Sequence, residues 1–169
     1  KMYVHRHDKA VRCLVTAIQR GRRSGFLAAM DAGSADRRAE EGIEAAPRNI
    51  PIEALPKNIP PQVAEKITKH SRPDAFLVRP PEANRGRHEY IILEVKYCRD
   101  TDPSGQEARA QSQHQALVDL LQEEEGCMPT VATVVPLLLG VSGVIYKSFV
   151  EKLEGLGITG SARATLARK

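Results

Sequence analysis

The sequence predicts an α/β protein whose central mixed sheet is flanked by helices. Two short β-type runs, at 71–78 and 90–98, lie on either side of a turn-rich segment at 79–87 that contains two Pro, one Asn and one Gly. This is the pattern of a hairpin with a long loop. A Gln-rich helical pattern then leads to a β-branched apolar run at 130–139 and to a last helix at 146–153. Strands interleaved with helices indicate a sheet covered by helices.

Length and composition indicate one ordinary globular domain. Because 169 residues suffice for one core and leave little room for two, we expect a single domain over 1–169, with a helical segment at 1–30 and a core at 70–158. The contents of 41% hydrophobic and 27% charged residues are typical of soluble proteins. Without an apolar run of about 18 residues or a signal peptide, the chain is expected to be soluble and intracellular, with no membrane partner. Neither the three cysteines nor His5 and His7 match a metal-ligand spacing.

The N-terminal segment predicts an amphipathic helix that ends near Gly21. Its apolar residues follow the i, i+3, i+4, i+7 spacing of one helix face: Val11, Leu14, Val15 and Ile18. The first 30 residues carry seven Lys or Arg against one acid, a net charge of +6 in a chain whose total is +4. We therefore expect this segment to contact the phosphate backbone of a nucleic acid. The candidate binding residues are Arg20, Arg22, Arg23 and, beside the core, Arg72.

The predicted hairpin brings charged groups together. Side chains two apart on a strand share a face, so Glu94 and Lys96 emerge about 7 Å apart. Leu93 and Val95 point the other way. Asp74 opens the partner strand after a proline, a residue that belongs at a strand start or edge, and can therefore lie beside Glu94.

Two carboxylates and one ammonium suit metal-assisted phosphodiester hydrolysis. Asp74 and Glu94 are predicted to hold Mg²⁺, for which Mn²⁺ can substitute, through oxygen ligands that leave positions for water and phosphate. Lys96 would orient or help to deprotonate the attacking water and offset the charge that develops on phosphorus. A set of exposed charges at the ends of a hairpin is the alternative, but the apolar run 91–95 indicates a buried strand.

After the hairpin, the sequence predicts one continuous helix over 106–125. Gln113 and His114 fall on the same face as Leu117 and Leu121. Two interpretations remain open at this point. Gln113 and His114 reach toward the phosphate or order the water, or His114 is a satisfied core residue beside a solvated glutamine. In the run that follows, Pro136 predicts a bulge or an edge strand.

The chain resembles a known nuclease family at several places. Pro73-Asp74 with Glu94-Val95-Lys96 resembles the PD-(D/E)xK superfamily, and within it the restriction-like endonuclease domain of site-specific non-LTR retrotransposon proteins. Arg-His-Asp at 6–8, Gln-His-Gln-Ala-Leu at 113–117 and Val-Val-Pro-Leu-Leu-Leu-Gly at 134–140 resemble further motifs of that branch. The in-line Lys96 departs from the branch, whose lysine often comes from the helix where Gln113 stands here.

The resemblance implies a restriction-endonuclease-like core and a nuclear, divalent-metal-dependent DNA endonuclease. Its activity would nick target DNA so that the freed 3′-OH primes reverse transcription of the element, with Asp74, Glu94, Lys96 and Gln113 in the site. The resemblance also implies upstream zinc-knuckle and reverse transcriptase regions in the same polyprotein, and leaves room for a homodimer. The alternatives are a catalytically silent nucleic-acid-binding module of the same fold, and a structure-specific or RNA-directed nuclease of the superfamily.

Overall fold

A computed structural model describes residues 2–20, 27–30, 61–62, 65, 73–79, 86–99, 101–123 and 130–158. At 2–6, 8, 19–20, 27–30, 123 and 130 the description is limited to the backbone. Within these residues, the helices whose bounds are described are α1 (Met2–Arg20), α2 (Pro103–Gln113), α3 (Gln115–Glu123) and α4 (Lys147–Gly155). The described strands are β1 (Leu27–Met30), β2 (Ala75–Arg79), β3 (His88–Cys98) and β4 (Thr130–Gly140). In these parts of the chain no helix is long and apolar enough to cross a bilayer.

The four strands form one mixed sheet in the order β1-β2-β3-β4. The pairs β1·β2 and β2·β3 are antiparallel, whereas β3 and β4 are parallel and paired over their full length. The predicted α/β class with a mixed sheet and flanking helices is confirmed. β2 pairs with β3 only as far as Ala75 and Leu93, so residues 94–98 of β3 continue beyond it beside β4.

Side-chain alternation along β2 and β3 builds a core on each face of the sheet. Leu77, Leu93 and Val95 pack on one face in a cluster that also contains the apolar stripe of α1 and residues of α4. Phe76 and Ile92 pack on the other face with residues of α3. Because strand side chains alternate with a period of two, Glu94 and Lys96 fall on the α3 face. The predicted α1 stripe is confirmed, since Val11, Leu14, Val15 and Ile18 are all buried.

The predicted continuous helix over 106–125 is wrong. The helix is interrupted at His114, whose backbone φ of −113° and ψ of 9° separates α2 from α3. The His114 N–H bonds back to carbonyls of α2, and its carbonyl accepts from Leu117 and Val118 of α3. No glycine or proline stands at the interruption. The physical reason is a tertiary contact of the His114 side chain, described below.

Pro136 is accommodated without breaking the ladder. Within the described sheet β4 is an edge strand, as the proline predicted, and Pro136 pairs in register with Glu94. Its carbonyl accepts a hydrogen bond of 2.9 Å from the Lys152 ammonium on α4. In a parallel strand the N and the carbonyl of a residue point to the same side, so the missing N–H of Pro136 faces away from β3.

Candidate active site

Asp74 lies directly before β2, where that strand stops pairing with β3. Its Oδ2 atom accepts a hydrogen bond of 2.7 Å from the backbone N–H of Val95. The carboxylate therefore takes the place that a further β2 residue would occupy as a partner of β3. The register Ala75 to Leu93 makes Asp74 the next residue opposite Glu94.

The second partner of Asp74 is His7 on α1. The His7 Nε2 atom lies 3.2 Å from Asp74 Oδ2 and 3.0 Å from the carbonyl oxygen of Val95. The sequence showed only that His7 fits no metal-ligand spacing and did not predict this contact, which joins residues 67 positions apart. A signal was present, since His7 stands four residues before Val11 and so extends the buried stripe of α1 by one turn.

Glu94 is a buried carboxylate with three side-chain partners. Its residue is only 3% exposed. Oε1 forms an ion pair with the Lys96 ammonium and accepts a 3.2 Å hydrogen bond from the Gln113 amide. Oε2 lies 2.8 Å from His114 Nε2. The predicted neighbourhood of Glu94, Lys96 and Gln113 is therefore present.

These partners fix the charge state of Glu94. Burial raises the pKa of the Glu94 carboxyl, but the hydrogen bonds from His114 and Lys96 and the charges of those groups outweigh burial. The pKa of Glu94 consequently lies below its ordinary value of 4.5. Glu94 is an anion at neutral pH, as a metal-ligating carboxylate must be.

His114 is placed by the interruption between α2 and α3. It is 2% exposed, and its Nε2 faces an acceptor, so this nitrogen carries the hydrogen and donates to Glu94. Non-helical backbone near φ −90° and ψ 0° is sparsely populated and frequent at active sites. Of the two interpretations left open by the sequence, the structure places His114 in the core and bonds it to Glu94.

Gln113 ends α2 and is exposed. Its Nε2 donates to Glu94 Oε1, and it also lies 3.3 Å from His114 Nε2. Because an amide N–H₂ and an imidazole N–H are both donors, the second approach adds no hydrogen bond while His114 donates to Glu94. Gln113 therefore reaches the site through Glu94.

The sequence-predicted residues form two neighbouring networks. One joins Glu94, Lys96 and Gln113, with His114 added, and the other joins Asp74 to His7 at the backbone of Val95. The networks meet at consecutive residues of β3. Of the DNA-binding candidates, Arg22, Arg23, Arg72 and the side chain of Arg20 lie outside the described residues.

The donors suit a hard divalent cation. Mg²⁺ is commonly held by one or two carboxylates together with waters and substrate phosphate. Asp74 receives hydrogen bonds from described residues at Oδ2, and none of the described residues donates to Oδ1. In the described part of the chain no group of three or more His, Cys, Asp or Glu residues is arranged to hold a metal. A cation between Asp74 and Glu94 would therefore depend on water and phosphate for its remaining ligands.

Comparisons of the chain with protein-family models, with curated proteins and with solved structures found no match.

Proposed function

We propose that the protein is a divalent-metal-dependent DNA endonuclease with a restriction-endonuclease-like core. The observation that carries the proposal is the placement of Asp74 and Glu94. One carboxylate lies directly before β2 and the other on β3, one position beyond the paired residues Ala75 and Leu93, with Lys96 beside Glu94. The sequence resemblance to retrotransposon endonucleases supports the same residues. The resemblance further supports nicking of nuclear target DNA within a polyprotein that contains zinc-knuckle and reverse transcriptase regions.

Each residue has a role that its chemistry allows. Asp74 and Glu94 would hold Mg²⁺ or Mn²⁺, which when bound acts as a Lewis acid on the scissile phosphate and lowers the pKa of water. The Lys96 ammonium offsets negative charge on the phosphate and orients the attacking water. Gln113 and His114 keep the Glu94 carboxylate in place through their hydrogen bonds.

One observation favours a second function. Glu94 already has partners at both oxygens, including the Lys96 ammonium, so its charge is balanced without a cation. A catalytically silent nucleic-acid-binding module would keep such a pairing for stability. The two functions differ in whether a divalent ion binds at Asp74 and Glu94.

Calorimetric titration with Mn²⁺ separates them. The wild-type protein is expected to bind Mn²⁺, and Asp74→Ala and Glu94→Ala should lose that binding, because one carboxylate offers too few anionic oxygens. Asp119→Ala on α3 is the matched control, since it removes an exposed carboxylate elsewhere. Absence of Asp74-dependent Mn²⁺ binding in the wild type would establish the silent module.

Cleavage assays test the reaction itself. Supercoiled plasmid with Mg²⁺ should yield nicked circles with the wild type and with Asp119→Ala, and none with Asp74→Ala or Glu94→Ala. Matched DNA and RNA oligonucleotides, single-stranded, double-stranded and branched, separate a DNA endonuclease from an RNA-directed or structure-specific nuclease. Wild-type cleavage rates in either carboxylate variant would refute the assignment of the site.

A further inference from the structure

The N-terminal helix α1 contributes a side chain to the candidate site. Its His7 Nε2 approaches two atoms at once, Asp74 Oδ2 at 3.2 Å and the Val95 carbonyl oxygen at 3.0 Å. The two distances are similar, and the His7 side chain is 29% exposed, so this contact lies at the rim of the core.

The chemistry of these atoms determines which group donates the hydrogen bond. A carbonyl oxygen and a carboxylate oxygen are acceptors, so His7 Nε2 carries a hydrogen and donates it, shared between the two. Asp74 Oδ2 also accepts the Val95 N–H at 2.7 Å. One carboxylate oxygen therefore receives two donors, whereas described residues give none to Oδ1. A carboxylate held at one oxygen presents the other in a fixed direction.

We propose that His7 is a positioning residue that holds Asp74 for cation binding, so that α1 forms part of the active site. This inference rests on the proposed function, in which Asp74 is a cation ligand. Partners that orient a ligating side chain typically contribute about 10–100-fold to metal affinity. Helix α1 would then carry part of the basic N-terminal segment and also the residue that positions Asp74. DNA contacts of that segment would therefore affect the position of Asp74.

A purely structural role is the alternative. His7 would then tie α1 to β3 through the Val95 carbonyl, and its loss would lower stability without affecting the cation. Both roles predict a less stable protein, so thermal unfolding alone does not separate them. Mn²⁺ affinity and the hydrogen exchange of the Val95 amide report on Asp74 itself.

The variants differ in the reach of one N–H donor. In His7→Gln the side-chain amide takes the place of Nε2, whereas in His7→Asn it is too short, and in His7→Ala the donor is removed. Lys9→Ala on the exposed face of α1 is the control for changes in this helix. Mn²⁺ affinity is measured by calorimetry, and Val95 exchange by NMR on the metal-free protein, with Asp74→Ala as the reference for complete loss.

His7→Ala and His7→Asn should raise the Kd for Mn²⁺ about 10–100-fold and accelerate Val95 exchange. His7→Gln should restore most of both, and Lys9→Ala should change neither. If His7→Ala does not fold, the comparison of His7→Asn with His7→Gln gives the same answer. If Asp74→Ala loses Mn²⁺ binding but His7→Asn keeps the wild-type Mn²⁺ affinity, the inference about His7 is wrong, whereas the proposed function is not affected. A wild type without Asp74-dependent Mn²⁺ binding would overturn the proposed function and this inference with it.

Discussion

His114 and Glu94 form a buried pair in which Nε2 and Oε2 are 2.8 Å apart and the two side chains are 2% and 4% exposed. The pair joins the interruption between α2 and α3 to the middle of β3. A buried carboxylate has lost its hydration and needs hydrogen bonds from the protein in its place. His114 supplies the hydrogen bond at Oε2. The contact therefore accounts both for the charged state of Glu94 in the core and for the interruption of the helix.

Replacing His114 by Ala should reduce the free energy of unfolding by about 1.5–3 kcal/mol, the range for a hydrogen bond to a charged group. Lys96 and Gln113 still contact Oε1, which keeps the loss below that of a fully unpaired buried ion. Urea unfolding at pH 7 with chelator measures the change, and Lys147→Ala, at a 91% exposed side chain, is the control. A loss under about 0.5 kcal/mol, typical of surface positions, would contradict the importance of the pair.

The lowered pKa of Glu94 predicts a pH dependence of stability. Because the folded-state pKa lies below the ordinary 4.5, the charged form stabilises the fold above about pH 4.5, and this contribution is lost as pH falls through the folded-state pKa. The difference in unfolding free energy between wild type and Glu94→Gln should be constant near neutral pH and shrink below pH 4.5. Urea midpoints from pH 7 to 3 with chelator measure it. A difference that grows on acidification would show that the pKa of Glu94 is raised.

Local patterns made most of the fold predictable. The stripe of α1 and the alternation in β2 and β3 are short-range signals that depend on the spacing of apolar side chains. The pairing of Glu94 with Lys96 follows from the same period of two. The helix interruption at His114 has no such signal, since neither glycine nor proline marks it and the cause is a contact 20 residues away in the chain.

The remaining part of the site depended on tertiary placement. His7 and Asp74 are separated by 67 positions, and no spacing rule joins a helix residue to a strand start at that distance. The buried stripe predicts that a residue four positions before Val11 faces the sheet, but not which strand it meets. Asp74 was expected to open β2 and lies directly before that strand, whereas its use as a hydrogen-bond acceptor for Val95 depends on where β2 stops pairing with β3.

We expect the contacts of Lys152 to contribute to the free energy of unfolding. Its ammonium contacts the Glu107 carboxylate of α2 and donates to the Pro136 carbonyl. The Lys152 side chain is 22% exposed and the Glu107 side chain 29% exposed. Lys152→Met keeps the aliphatic stem and removes the charge, so unfolding free energy should fall by about 1.5–3 kcal/mol. Lys147→Met on the same helix removes only an exposed pair with Glu151 and should change it by less than about 1 kcal/mol. Equal effects in chemical denaturation would refute the special role of Lys152.

The basic N-terminal segment predicts a salt-dependent contribution to DNA binding. Each phosphate neutralised releases counterions and steepens the log–log salt slope by about 0.9. Replacing Arg20, Arg22 and Arg23 together with Gln should weaken binding and flatten the slope by roughly two to three units. Fluorescence anisotropy over a salt series measures the slope, with Lys147→Gln as the control. An unaltered slope in the triple variant would show that DNA approaches another face.

We expect substitutions of Lys96 to affect the cleavage rate far more than the affinity for the metal ion. Its ammonium pairs with Glu94 Oε1, the oxygen at which a cation would compete with it. Lys96→Ala removes that competitor, so Mn²⁺ affinity should be retained or increased, and the pKa of Glu94 should rise because a hydrogen bond and a positive charge are lost. The single-turnover cleavage rate should fall strongly. Lys96→Arg should keep the pKa of Glu94 low yet restore cleavage only in part, since the planar guanidinium presents a different donor geometry to the attacking water and the phosphate. Calorimetry, NMR titration of Glu94 and plasmid cleavage measure the three quantities.

If Gln113→Ala reduced cleavage more than Lys96→Ala, the decisive residue would lie at the end of α2, where the resembling nucleases often carry their lysine.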